Sequence, residues 1–261
     1  MKPPVEQQVE RGIMTLSFRR PEKKNAVTTE MYRLMIEAFE QAERQSRVRV
    51  VLLRGEGDAF TAGNDLEDFR KWPQMARHSD DLPVFRFIKT VVNFPKPLVA
   101  AVKGVAVGLG GTLLPHCDVV VAGQSARFSL PFSRLAVVPE FGSSFLLPAA
   151  AGHMRASHWL MLGETFGVEE ARHLGLVSEI CADEQVDAVA RQRCEQLAAL
   201  PAGVLRRIKS LIRPPEFLEQ LNRAIDRESR MFMECLQTPE HAEAVRAFFE
   251  KRLPDFKRFE G

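Results

Sequence analysis

The sequence holds only four cysteines in 261 residues. They stand at 117, 181, 194 and 235, with no Cys-x-x-Cys pair and no regular spacing, which excludes a zinc ribbon and a disulfide framework. Reduced thiols are expected. Long uncharged apolar runs are also missing, since no stretch approaches the roughly 18 residues that a membrane span needs. The opening residues, Met1 to Gln8, lack the apolar stretch of a signal peptide, and Arg258 to Gly261 carry no peroxisomal or retention address. The expectation is a cytoplasmic protein. Charge of one sign is absent too. Lys plus Arg total 36 against 34 for Asp plus Glu, and a formal charge of +2 gives no electrostatic case for a nucleic-acid partner. What is present is an ordinary soluble composition, 45% hydrophobic and 27% charged, in a chain long enough to bury a substantial core.

Met14, Leu16 and Phe18 alternate with Ile13, Thr15 and Ser17, which predicts a strand over 13–18 with one face more apolar than the other. Thr28 then offers an N-cap, and Met31, Leu34, Met35, Ala38 and Ala42 recur at helical spacing to about Gln45. Val48–Leu53, Leu98–Val102 and Asp118–Ala122 read as strands, the first largely buried on both faces. Between the last two, the glycine-rich segment Gly104–Gly111 leads into a short helix. The class is α/β. From about Val168 onward the patterns turn helical, over 168–174, 183–199, 202–212, 216–236 and 239–250, with breaks at Pro201, Pro214, Pro215 and Pro239. These helices are too few to bury their own apolar faces, so they are expected to cover the core or a neighbouring subunit. Phe69–Pro97 reads as a loop followed by a helix, either a lid over a site or a plain surface excursion.

Two segments stand out: Phe60-Thr61-Ala62-Gly63-Asn64-Asp65-Leu66, and Gly104 to Thr112 with Gly108, Gly110 and Gly111. Each puts small residues where a strand gives way to a turn or helix. Such residues either make tight turns or let a ligand approach main-chain N–H groups, and two such segments together could bind an anionic oxygen. Asp65, Glu67 and Asp68 could supply a carboxylate, although at a helix start the favoured reading is capping. His116, Cys117 and Asp118 are adjacent, but a helix end running into a strand points them in different directions; His153 and His158 miss the i, i+4 spacing of paired ligands. No metal site is expected.

With these segments on view, the chain resembles the crotonase (enoyl-CoA hydratase/isomerase) superfamily. The resemblance runs from Arg20-Pro21-Glu22-Lys23-Lys24-Asn25-Ala26-Val27, through both segments and Lys96-Pro97-Leu98-Val99-Ala100-Ala101-Val102, to Phe248-Phe249-Glu250-Lys251-Arg252. It implies a ClpP-like spiral of ββα units over residues 1–200, a helical region over 201–261 used in trimer assembly, and acyl-CoA thioester substrates. The expected assembly is a homotrimer or a dimer of trimers. No metal or redox cofactor is implied, coenzyme A being the carrier of the substrate.

Carried over by position, the resemblance puts an oxyanion hole on the backbone N–H groups of Ala62 and Leu109, where two fixed donors would stabilise the charge of an enolised thioester. Leu stands at 109 where many relatives have Gly, which a main-chain donor tolerates. The two glutamates of the hydratases correspond to Thr112 and Phe132, neither of which holds a proton as a carboxylate does. Eight residues beyond Phe132, Val138-Pro139-Glu140-Phe141-Gly142 resembles the Δ3,Δ2-enoyl-CoA isomerase branch, as do Gly63-Asn64-Asp65-Leu66, Ala106-Val107-Gly108, Thr112-Leu113-Leu114 and Pro131-Phe132-Ser133. In that branch a single glutamate moves the proton. Spacing alone would equally allow Glu140 to be a solvated loop carboxylate, whereas the resemblance implies apolar walls, with Phe132, Phe141 and Leu109 as candidates, that raise its pKa.

For the CoA moiety the resemblance places adenine near the main chain of Ala62, Gly63, Asn64 and Asp65, with the phosphates near Lys23, Lys24 or Lys251, and counts Gly108 and Phe132 among the substrate contacts. The five Lys or Arg against two Asp or Glu between 246 and 258 suit phosphates, and equally suit a solvated helix end. Arg206, Arg207, Lys209 and Arg213 carry the same ambiguity. Two further readings stay open: a hydratase in which Glu140 works with a water held by another group, and an acyl-CoA-binding module of this fold with little catalysis.

Overall fold

A computed structural model describes residues 3–76 and 78–259. Among them, β1 (Val5–Glu10), β2 (Ile13–Phe18), β3 (Val50–Gly55), β4 (Leu98–Val102), β5 (Val105–Val107), β6 (Val119–Gly123), β7 (Arg127–Ser129), β8 (Thr165–Gly167) and β9 (Glu179–Cys181) form two sheets, ordered β1-β2-β3-β4-β6-β9 and β5-β7-β8. β1 and β2 form an antiparallel hairpin, and every later pairing in the larger sheet is parallel. Parallel strands need coverage on both faces, and the period of two supplies it. Val51, Leu53, Leu98, Ala100, Val102, Val120 and Ala122 point into the main core, while Val50, Leu52, Val99, Ala101 and Val121 point to a second, smaller core.

The helices in chain order are α1 (Thr29–Arg44), α2 (Leu66–Phe69), α3 (Trp72–Met75), α4 (Pro83–Val92), α5 (Leu109–Thr112), α6 (Ser143–Ala151), α7 (His153–Leu162), α8 (Val168–His173), α9 (Val186–Ala199), α10 (Ala202–Ile212), α11 (Pro215–Leu236) and α12 (Pro239–Phe249). The expected N-cap holds: Thr28 Oγ1 accepts from the Met31 N–H at 3.2 Å. α9 closes the smaller core with Val186, Ala190, Cys194 and Ala198. The short helix expected from the glycine-rich segment runs only from Leu109 to Thr112 and passes into a separate 3₁₀ turn, Leu114–His116, because Pro115 lacks the N–H to continue it. The segment 69–97 is α3, a 3₁₀ turn and α4, with Trp72, Phe85, Phe87 and Ile88 all buried, so the core pins most of it in place.

Three times the chain crosses from the large sheet to the smaller layer and then enters a helix or helical turn. β3 leads to the bridge residue Thr61 and α2, β4 leads to β5 and α5, and β6 leads to β7 and a 3₁₀ turn at Ser133–Leu135. This is the expected spiral of ββα units. Thr61 pairs in parallel with Ala106, which brings both glycine-bearing segments to one edge of the smaller layer.

α11 packs the stripe Leu221, Ile225, Phe232 and Leu236 into the main core. α10 has no buried residue, and Val204, Ile208, Leu211 and Ile212 lie exposed along one side of it. No helix among the described residues is long and apolar enough to cross a membrane.

Candidate active site

The segments at 61–65 and 107–111 are in van der Waals contact. Val107 N donates to Thr61 O at 3.0 Å, and a Cβ at Gly63 would stand 2.8 Å from Val107 O. Gly63 also sits at φ +86°, a conformation that side chains disfavour, so two requirements at once demand glycine there.

An account of N–H groups along the first segment corrects one expectation. The Ala62 N–H is donated to Lys24 O at 2.8 Å, and is therefore not available to a ligand. Gly63 N–H goes to Thr61 Oγ1 at 3.1 Å, and Asp65 N–H goes to Val27 O at 2.9 Å. Asn64 is left. Its parallel bridge to Val27 uses the flanking Gly63 carbonyl and Asp65 N–H, so the Asn64 N–H faces the other way and has no partner among the described residues. In the second segment Gly108 N–H goes to Ser129 O at 2.8 Å, whereas the Leu109 N–H, first in α5, has no partner among the described residues. Gly108, which precedes Leu109, has nothing within 4 Å of where its Cβ would be. The Asn64 and Leu109 amides are thus both free, and the Gly110 N–H next to Leu109 has no partner among the described residues either.

Glu140 is 2% exposed, so it is not a solvated loop carboxylate. Burial, the largest effect, pushes its pKa up to about 8; a hydrogen bond from the Thr112 hydroxyl opposes this, and the charge of Glu228 adds to it. Phe132 and Leu109, the other two candidate walls, are buried, at 6% and 1% exposure. Phe141 turns instead into the core, its ring 6.0 Å from Phe87 and 4.9 Å from His116.

Three residues that sequence reasoning missed surround this carboxyl. Thr112, noted only for not being a glutamate, donates its hydroxyl to Glu140 Oε1 at 3.1 Å. Tyr32, buried on α1, donates its hydroxyl to Asn64 Oδ1, and its own pKa is raised by burial first and by the Glu140 charge second. It thus ties the Asn64 turn to the neighbourhood of Glu140. Glu228, the one acid on the apolar stripe of α11, accepts from Gly142 N at 2.7 Å and from Ser144 N at 2.9 Å. That interruption of an apolar period was a visible signal.

The Thr112 bond carries a prediction. Thr112→Val removes a donor to the ionised carboxylate and pushes the Glu140 pKa higher still. If Glu140 works as a base, kcat near pH 7 falls about tenfold, and the loss disappears in more alkaline buffer, where the carboxyl ionises regardless. A pH–rate profile checks this.

The other named residues sort as follows. Asp65 caps α2, accepting from Glu67 N at 2.9 Å and from Arg20 at 2.8 Å, and its carboxyl is held below the usual range although burial opposes the shift. Both its N–H and its carboxylate are committed inside the chain, which corrects its placement as a CoA contact. Lys23 and Lys24 are exposed beside the segment, with no ion pair among the described residues, and the Ala62 carbonyl receives no hydrogen bond there. Lys251 is exposed after α12, the end of which reaches α2 through Arg70 over the Phe249 ring at 5.4 Å. Three of the five basic residues at 246–258 are committed inside the chain, because Arg246, Arg252 and Arg258 all donate to the buried carboxylate of Glu243. Those guanidiniums hold its pKa down. Lys209 and Arg213 are likewise committed, to Asp118 at 2.8 Å and to His116 Nδ1 at 3.0 Å. The described residues contain no group of three or more His, Cys, Asp and Glu able to hold a metal ion.

Comparison with known proteins bears on this geometry. The sequence model of the enoyl-CoA hydratase/isomerase family matches residues 8–259. The 1,2-epoxyphenylacetyl-CoA isomerase of Escherichia coli strain K12 is 35% identical over 252 residues, which cover 95% of this chain and 96% of that protein. Enoyl-CoA delta isomerase 2 of Rattus norvegicus is 37% identical over 210 residues, 79% of this chain and 54% of that longer protein. The solved enoyl-CoA hydratase/isomerase of Pseudoalteromonas atlantica T6c superposes with a TM-score of 0.89 at 37% identity, covering 97% of this chain and 100% of that one. With the match running through almost every residue, and the spiral itself shared, the chain belongs to the enoyl-CoA hydratase/isomerase family of the crotonase superfamily.

Proposed function

We propose that the protein moves the double bond of a 3-enoyl-CoA to the 2-position, with Glu140 as its only proton carrier. The observation that carries this reading is the buried Glu140 carboxyl, 2% exposed and bonded by the Thr112 hydroxyl, with its pKa raised to about 8. Glu140 takes a proton from C2, and the electron pair left behind delocalises over C4 and the thioester oxygen. The Asn64 and Leu109 amides hold that oxygen as a dienolate. Glu140 then returns the same proton to C4, and the double bond stands between C2 and C3. Nothing is oxidised or reduced, and the step calls for no metal or redox cofactor.

A base with a pKa near the working pH suits both halves of the transfer, since it must accept and then release within one turnover. Hydration of a double bond instead needs a second group to activate water. Glu228 is instead taken up in holding the backbone after Glu140, accepting from Gly142 N and Ser144 N. The relative named enoyl-CoA delta isomerase 2 supports the same choice. The CoA moiety is assigned to the Ala62 carbonyl and to Lys23 and Lys24, with the acyl chain between Phe132 and Leu109 and with Lys251 contributing from the C-terminal segment. The exposed apolar stripe of α10 supports contact with further copies of the chain, and the assembly we propose is a homotrimer or a dimer of trimers, with a cytoplasmic location as part of the same proposal.

Purified protein supplied separately with 3-enoyl-CoA and 2-enoyl-CoA tests the assignment. Rapid migration of the double bond with little hydration is expected. Rapid hydration with negligible migration would overturn it in favour of a hydratase, and binding without turnover of either ester would favour a non-catalytic module.

A further inference from the structure

Two buried side chains that take no part in the proposed chemistry meet at a single peptide unit, the Phe141–Gly142 peptide one residue beyond Glu140. The Phe141 carbonyl lies 2.7 Å from His116 Nε2, and the Gly142 N–H lies 2.7 Å from Glu228 Oε2. These are the two ends of one peptide plane. His116 comes from the turn after α5 and Glu228 from α11, so separate parts of the fold hold it.

Each holder is itself fixed. A guanidinium only donates and a carbonyl only accepts, so Arg213 at 3.0 Å from Nδ1 and Phe141 O at Nε2 set one neutral tautomer of His116. Burial, the largest effect, keeps that imidazole uncharged by pushing its pKa down to about 3. Glu228 is anchored by Ser144 N at 2.9 Å and Ser144 Oγ at 2.5 Å.

The held plane is an unfavourable one. Phe141 has φ +63° and Gly142 φ +70°, and a left-handed conformation is disfavoured for an aromatic residue. Such a conformation persists only where the surroundings over-determine it. This bend lets the chain turn into α6 while the Glu140 side chain stays inside, within reach of Thr112.

We propose that His116 and Glu228 are positioning residues, which hold the two ends of the Phe141–Gly142 peptide in its left-handed bend and so aim the Glu140 carboxyl at the reacting carbons. The proposal rests on the reading of Glu140 as proton carrier. It follows from the demand of a shuttle between two carbons, where a misplacement of about 1 Å can cost on the order of 100-fold.

The test is steady-state kinetics on 3-enoyl-CoA with His116→Leu, Glu228→Gln and the double variant, each verified as folded by circular dichroism, with Glu140→Gln run alongside. Each single change is expected to lower kcat about 30- to 100-fold with KM nearly unchanged. Because both act on one peptide plane, the double variant should lose little more than the worse single one. His116→Gln, which keeps a donor for Phe141 O, should recover most of the activity, and it carries the test with Glu228→Gln if His116→Leu does not fold. Folded variants with wild-type kcat, or losses that multiply in the double variant, would overturn the proposal. An inactive Glu140→Gln beside fully active His116 and Glu228 variants sinks the positioning claim alone, whereas an active Glu140→Gln sinks the reading beneath it.

Discussion

Glu140→Gln is expected to lower kcat for double-bond migration by about 10³- to 10⁴-fold, with KM changed little. The substitution keeps the size of the side chain and removes only the capacity to exchange a proton. It also matches the form that the buried site favours, because with a pKa near 8 the carboxyl is mostly neutral at pH 7. The fold should therefore tolerate it well. A carboxyl whose folded pKa lies above its unfolded value of 4.5 stabilises the protein fully below that value, and the contribution is lost as pH rises through about 8. Wild-type protein should thus lose stability over that window from this group while the glutamine variant does not, and melting temperatures measured from pH 5 to about 9 check the difference. The same titration sets activity. With Glu140 required as a carboxylate, kcat/KM of the wild-type protein rises about tenfold per pH unit below 8 and levels off above it.

Gly63→Ala should be nearly as damaging, by a different route. No side chain of residue 63 takes part in the chemistry, yet a methyl group there would meet Val107 O at 2.8 Å in a backbone at φ +86°. Relief of either strain moves the Asn64 N–H away from that of Leu109. Loss of one oxyanion donor costs roughly 3 kcal/mol, or about 100- to 1,000-fold in kcat. Gly203→Ala is the control, since Gly203 lies in exposed α10 with nothing within 4 Å of the added carbon. Its kcat should equal that of the wild-type protein. Equal losses in the two variants would show a general effect of added methyl groups rather than a local one at the donor pair.

The parts of the fold that were readable from sequence are those whose period is long enough to show. α1 carries more than four turns of amphipathic spacing, and β3, β4 and β6 are aliphatic because α9 covers the face that the main core does not. The three-residue strands β5, β7 and β8 are shorter than any period can reveal, and α6 is apolar on all sides with Pro148 inside it. In the candidate site, Glu140 was found through its motif. Which amide of the first turn stays free depends on a bridge to Val27, 37 positions away from Asn64, and local spacing carries no trace of that. Ala62 was named for this reason, and the Lys24 carbonyl displaces it. Thr112 illustrates a different limit. Judged by what it lacked, it looked inert, although a hydroxyl that cannot serve as a base can still tune one.

The central claim is that one buried carboxyl removes a proton beside a thioester, and hydrogen exchange measures that step without requiring the right double bond. Wild-type protein and Glu140→Gln would be incubated with a saturated acyl-CoA in deuterated buffer, and the loss of the C2 proton signal followed by NMR. Wild-type protein should exchange the C2 protons at a rate that rises toward pH 8, and the variant, while still binding the ester, should not exceed the rate without protein. Exchange at the wild-type rate by folded Glu140→Gln would contradict the account, because the proton would then be leaving to some other group.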